Sequence, residues 1–234
     1  MKFLILLIVG LVFGDGCGRP FTAMESLEVP TETPAKEKKI AMEKEVLANM
    51  LDQTNKEIAN LVRDPASKLE SYGPKIGNGT IVRVSKFAPT RMIVHFVGVV
   101  SGEEAIVLTG DKEAFVNFAQ RSKTMLNRAE DRIAYGSEFL SIAVAGGNRL
   151  RILESVSSIK SRPALNNAQS DMFAEFVAKY TGVIKPPACS GEVCNYYAIS
   201  GQDLVLFELT VSASGSVKID ETVLEKDILI PYAM

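Results

Sequence analysis

Three cysteines and a single histidine are the residues of this chain best suited to covalent, metal or acid–base chemistry. Cys189 and Cys194 stand in "PPACSGEVCNYY" with four residues between them, and Ser190 and Gly191 supply turn chemistry. A tight loop of this length brings two Cβ atoms to the ~3.8 Å that a disulfide requires. Such a bond constrains the unfolded chain by about 2 kcal/mol, which makes it a local staple and not the main support of a fold. A zinc site would need four ligands, and the chain offers one His and one further, distant Cys. A redox pair would more typically be CxxC in a strand-to-helix unit.

His95, the only histidine, removes triads and metal sites that need several imidazoles. It lies in "MIVHFVGVV", an almost continuous apolar run, so a hydrogen-bonded core residue is expected over a general base. No GxxxxGK[ST] phosphate loop is present and no GxGxxG follows a strand; "AGGNR" and "GNG" read as turns. A Ser-Lys hydrolase needs no histidine and a carboxylate pair can act on sugars, yet none of the 28 acidic residues, nor any Ser or Lys, stands apart from a surface residue. No catalytic residue, metal ligand or cofactor is therefore assigned. The chain has no Trp to stack on a sugar, which leaves Tyr196 and Tyr197, beside the cysteine pair, as candidate ligand contacts. The competing expectation is an alternating strand with one tyrosine in the core and the other at the surface.

The amino terminus carries an address. Lys2 precedes Phe3 to Phe13, an apolar run broken only by Gly10, and small residues follow at Gly14 and Gly16. This is the layout of a secretory signal. The run is short of the ~20 residues that cross a bilayer as a helix. Export into an oxidising compartment favours the Cys189–Cys194 bond and leaves Cys17 as the odd cysteine. In "VFGDGCGRP" the chain resembles a bacterial lipoprotein precursor, with Gly16 in the small position before the cysteine. Gly14 and Asp15 depart from that pattern, which has leucine and an uncharged small residue in their places. The resemblance implies that Cys17 becomes the mature N-terminus, acylated on its thiol and amine. More than one acyl chain, at ~0.8 kcal/mol per buried methylene, gives firm membrane retention. The alternatives are an ordinary cleaved signal with a free or intermolecular Cys17, and a eukaryotic secreted protein in which Asn78 to Thr80 is a glycosylation sequon.

Residues 18–38, with three prolines, several Thr and Glu and no apolar periodicity, read as an extended tether. From Lys39, Ile40, Leu47, Leu51, Thr54, Ile58 and Leu61 fall on one helical stripe, widened by Val46, Met50 and Val62. The spacing predicts one helix through about Arg63, ended by Pro65. It is expected to pack on the domain, with pairing to another chain as the alternative. Strands follow at 81–86, 92–100 and 104–108. A helix beginning at Thr109 or Asp111 extends through "AEDRIA", and a hairpin of "EFLSIAVA" with "LRILESV" turns around Gly146 to Asn148. Ser170 is a candidate cap for a short helix closed by Gly182. "NYYAIS", "DLVLFELTVS", "SVKID" and "DILIPYA" complete the strands.

The predicted organisation is a signal peptide at 1–16, an anchor cysteine and flexible linker at 17–38, an amphipathic helix at 39–64 and an α+β domain at 65–234. The domain is expected to hold a mostly antiparallel sheet with two packed helices, preceded by that N-terminal helix. A formal charge of −2 without a concentrated basic excess argues against nucleic acid as a partner. The implied role is that of an exported protein, lipid-anchored to a bacterial cell envelope membrane, that binds another protein or itself through residues 40–62. The alternative is an extracytoplasmic small-molecule or glycan binding module.

Overall fold

The structure, a computed structural model, describes residues 34–100, 104–146 and 150–231, with side chains from Glu43 onward. The signal segment, Cys17 and most of the tether lie outside the described residues. The fold is α+β, and its strands form two antiparallel sheets instead of one.

Helix α1 (Pro34–Leu51) starts on a proline, whose missing N–H costs nothing at the first helical position. It therefore begins inside the segment expected to be tether. It also ends at Leu51, and a second helix, α2 (Lys56–Arg63), follows after a turn. The single long helix is thus corrected to a helical hairpin. The cause is Asn55, whose side chain accepts from Ile58 N–H at 3.0 Å and caps α2, so that the chain restarts there. Arg63 closes the hairpin by donating to both carboxylate oxygens of Asp52, at 2.8 and 2.5 Å, and to Asn49 Oδ1 at 2.8 Å.

Strands β1 (Lys68–Ile76), β2 (Gly79–Phe87), β3 (Met92–Val100) and β4 (Glu104–Val107) form the first sheet in sequential order. Leu69, Val82, Val84, Val97, Val99, Ala105 and Val107 face the hairpin and pack against Leu47, Ala48, Leu51, Ile58, Ala59 and Val62. The opposite face meets α3 (Lys112–Arg121) and α4 (Ala129–Phe139). Asp111 caps α3, as expected, by accepting from Ala114 N–H at 2.9 Å. The chain then breaks at Ser122 to Arg128, so the expected single helix is two.

The segment "EFLSIAVA" is not a strand. It continues α4 through a π-helical turn, Leu140–Val144, whose Leu140, Ile142 and Ala143 are buried. Short strand β5 (Leu150–Ile152) pairs instead with β7 (Val193–Ser200). Helix α5 (Asn167–Tyr180) is opened by a capping box of Asn166 and Gln169, four residues ahead of the expected Ser170 cap. Strands β6 (Ala188–Ser190), β7, β8 (Asp203–Val211) and β9 (Val217–Glu225) form the second meander. The last expected strand, "DILIPYA", is irregular over its described residues, 227–231, and its Ile228 and Ile230 pack beneath α5.

The layers run hairpin, first sheet, α3 with α4, second sheet, α5. The central layer holds the largest core, where Phe115, Phe118, Tyr135 and Phe139 meet Tyr196, Phe207 and Leu209 of the second sheet.

Candidate functional site

The hairpin covers only part of the first sheet's outer face. α2 and the end of α1 lie over β2, β3 and β4, and the remaining face toward β1 stays open as a groove of about 380 Å³. Leu69, Val82 and Val99 form its floor, Val46, Leu47 and Met50 its helical wall, and Glu43 and Glu70 its acidic rim. Val46 is 50% exposed while its neighbour Leu47 is 6% exposed. That contrast separates two roles on one helix. Leu47 and Leu51 hold the hairpin on the sheet, and Val46 and Met50 are left to line the opening.

An apolar wall beside an open sheet face is costly to leave in water, since each Å² of apolar surface buried contributes about 25 cal/mol. Glu70 is held by Arg83 at 3.3 Å, and Glu43 has no ion-pair partner among the described residues.

His95 lies on this same face of β3, opposite Val84. It is half-buried, and its Nδ1 has no hydrogen-bond partner among the described residues, which corrects the expectation of a hydrogen-bonded imidazole. Burial lowers its pKa, with Glu57 of α2 pulling the other way. It lines neither the groove nor any other cavity described below.

Cys189 and Cys194 are directly opposite one another on β6 and β7 and are joined as a disulfide, with a Cα–Cα distance of 4.0 Å. The bond ties the short strand β6 to the sheet. The adjoining tyrosines are separated by the pleat. Tyr196 is fully buried, and its hydroxyl donates to the carbonyls of Arg132 at 3.2 Å and Ile133 at 3.0 Å. Gly136 makes room for that hydroxyl, because a Cβ there would collide with it. Tyr197 faces the other side and packs toward α5. The two candidate ligand contacts therefore belong to different layers and form no common platform.

One further carboxyl departs from its surroundings. Glu138 of α4 packs against Gly73 of β1, its Oε2 is buried without a partner among the described residues, and burial raises its pKa. Among the described residues no group of three or more His, Cys, Asp or Glu is placed to hold a metal ion, and no helix is long and apolar enough to cross a membrane.

No known family matches the chain, and neither curated proteins nor solved structures yield a match. Of the helical stripe at 40–62, Leu51, Ile58 and Val62 pack on the sheet, while Val46, Leu47 and Met50 border the groove. Its other side is β1, which carries no strand signal of its own.

Proposed function

We propose that this chain is an exported, lipid-anchored protein of a bacterial cell envelope whose domain docks a protein partner in the groove between α1 and β1. The observation that carries the docking role is the half-exposed Val46 and the open floor of Leu69, Val82 and Val99 beside a hairpin that is otherwise tightly packed. The partner presents an apolar segment with a Lys or Arg beside it, complementary to Glu43, since Glu70 is already paired with Arg83. The anchor rests on the apolar run before Gly16 and on Cys17, left single by the Cys189–Cys194 bond. It keeps the domain at the membrane surface.

Two experiments test the two halves separately. Membrane fractionation of Cys17→Ser should release the protein, and an unmodified N-terminal peptide spanning Cys17 in the wild type would refute the anchor. Native sedimentation of solubilised membranes should find the wild type in an assembly and Val46→Asp as the free protein. Identical sedimentation of the two would refute the docking role.

A further inference from the structure

The connection between α3 and α4 packs against the β1–β2 turn and the β8–β9 turn, and beside it lies a second cavity of about 340 Å³, separate from the groove. That volume is at the lower end of the ~300–1,000 Å³ range of small-molecule sites. Its walls are fixed by backbone contacts. Asn78 N–H donates to the Ser122 carbonyl at 2.8 Å, Leu126 N–H to Ala213 at 2.9 Å, and the Tyr135 hydroxyl to Gly215 at 2.6 Å. Gly77, at φ +57°, brings the β1–β2 turn so close to the Ser122 carbonyl that no Cβ could stand there. A site held this way is formed before any ligand arrives.

The charge at its mouth is unbalanced. Lys75 of β1 and Lys123 of the connection are exposed, line the cavity and have no ion-pair partner among the described residues. Asp131 is the one carboxylate in the lining, and Arg128 neutralises it through two hydrogen bonds of 3.0 and 2.6 Å. Lys123 adopts φ +52°, a left-handed backbone state that suits glycine. A lysine kept there carries a charge to the mouth against its backbone preference.

One further feature suits a ligand that carries hydrogen-bond acceptors. Thr124 in the cavity wall is 6% exposed, and its hydroxyl has no partner among the described residues. The remaining lining is apolar, with Ile76, Leu126 and the 73% exposed Met125.

We propose that this cavity binds a small amphipathic anion, its phosphate or carboxylate held between Lys75 and Lys123 and its short apolar body laid against Met125 and Leu126. The anion is either a soluble metabolite or the headgroup of a lipid; both present the same chemistry to the lysines. The site does not depend on the docking role of the groove.

The test is an NMR titration of the labelled full-length chain in non-ionic detergent, using phenyl phosphate, inorganic phosphate and benzyl alcohol as probes. Phenyl phosphate should shift the amides of residues 75–77 and 123–126 saturably, with a dissociation constant of ~1 mM or below. Inorganic phosphate, lacking the apolar body, should bind about tenfold more weakly, and benzyl alcohol should not saturate. The double variant Lys75→Ala with Lys123→Gly should weaken phenyl phosphate about tenfold or more, because both attractive charges are gone. Ala134→Phe fills the cavity from an exposed position of α4 and leaves both lysines in place, so it should abolish binding. Competition by phosphatidylglycerol mixed into the detergent micelles would assign the anion to a headgroup, and no competition would assign it to a soluble metabolite; the site stands in both cases. Absence of saturation by ~10 mM phenyl phosphate, or retention of affinity within about twofold in either variant, would overturn it.

Discussion

Replacing Leu51 by alanine should destabilise the domain by about 3 kcal/mol, whereas Val46→Asp, less than two turns away on the same helix, should cost less than ~0.5 kcal/mol. Leu51 has no exposed surface and packs with Ile58, Ala59 and Val62 against Val84 and Val97. The substitution removes three carbons, worth about 2.4 kcal/mol in transfer free energy at ~0.8 kcal/mol per carbon. The cavity left behind raises the cost toward the middle of the ~2–5 kcal/mol range for buried Leu→Ala changes. Val46 is half-exposed and touches no closed core. For a chain of this size each kcal/mol moves Tm by about 2–4 °C, so Leu51→Ala should melt about 6–12 °C lower and Val46→Asp within about 2 °C of the wild type. Urea unfolding followed by circular dichroism should give one transition for each protein. A loss below ~1 kcal/mol for Leu51→Ala would show that the hairpin is not part of the domain core. An equal loss in Val46→Asp would show that the groove is not an open surface.

Three other predictions come from single groups. His95 has a folded-state pKa below its unfolded value of about 6.5, so acid favours the unfolded chain. Stability should be unaffected by this group above that value and fall as pH drops below it, and His95→Gln should flatten the decline measured between pH 7 and 5. Glu138 has a raised pKa, so its ionisation opposes folding as pH rises through the folded-state value. Glu138→Gln should therefore melt higher than the wild type at pH 7 and equal to it at pH 4. Removing the disulfide as Cys189→Ala with Cys194→Ala should cost about 2 kcal/mol, read as a fall in Tm of about 4–8 °C without loss of the fold.

Much of the architecture was legible because its elements carry period and caps. The apolar run of β3 announced a strand buried on both faces, and Asp111 marked the start of α3. Helix interruptions were harder. The stripe from Ile40 to Leu61 keeps its period across Asp52 to Asn55, so apolar spacing alone could not reveal the hairpin, although Asn55 three residues before Ile58 is a capping signal. The apolar segment at 138–145 has no face to distinguish helix from strand, and contact with both sheets decided for helix. β1 failed for the opposite reason: an edge strand that is largely exposed and carries Gly73 and Pro74 has no alternation to read. The groove needed that strand, and the anion site needed three distant turns, so neither could be assembled from local sequence.

The docking claim is tested most directly by placing a photo-reactive side chain at Val46 in living cells, with Met172 on α5, which is 61% exposed against 50% for Val46, as the control position. A discrete crosslinked adduct is expected from position 46, absent from 172 and lost when Leu69 in the groove floor is changed to Asp in a protein that still folds. Adducts of equal yield at both positions, or none at position 46, would contradict it.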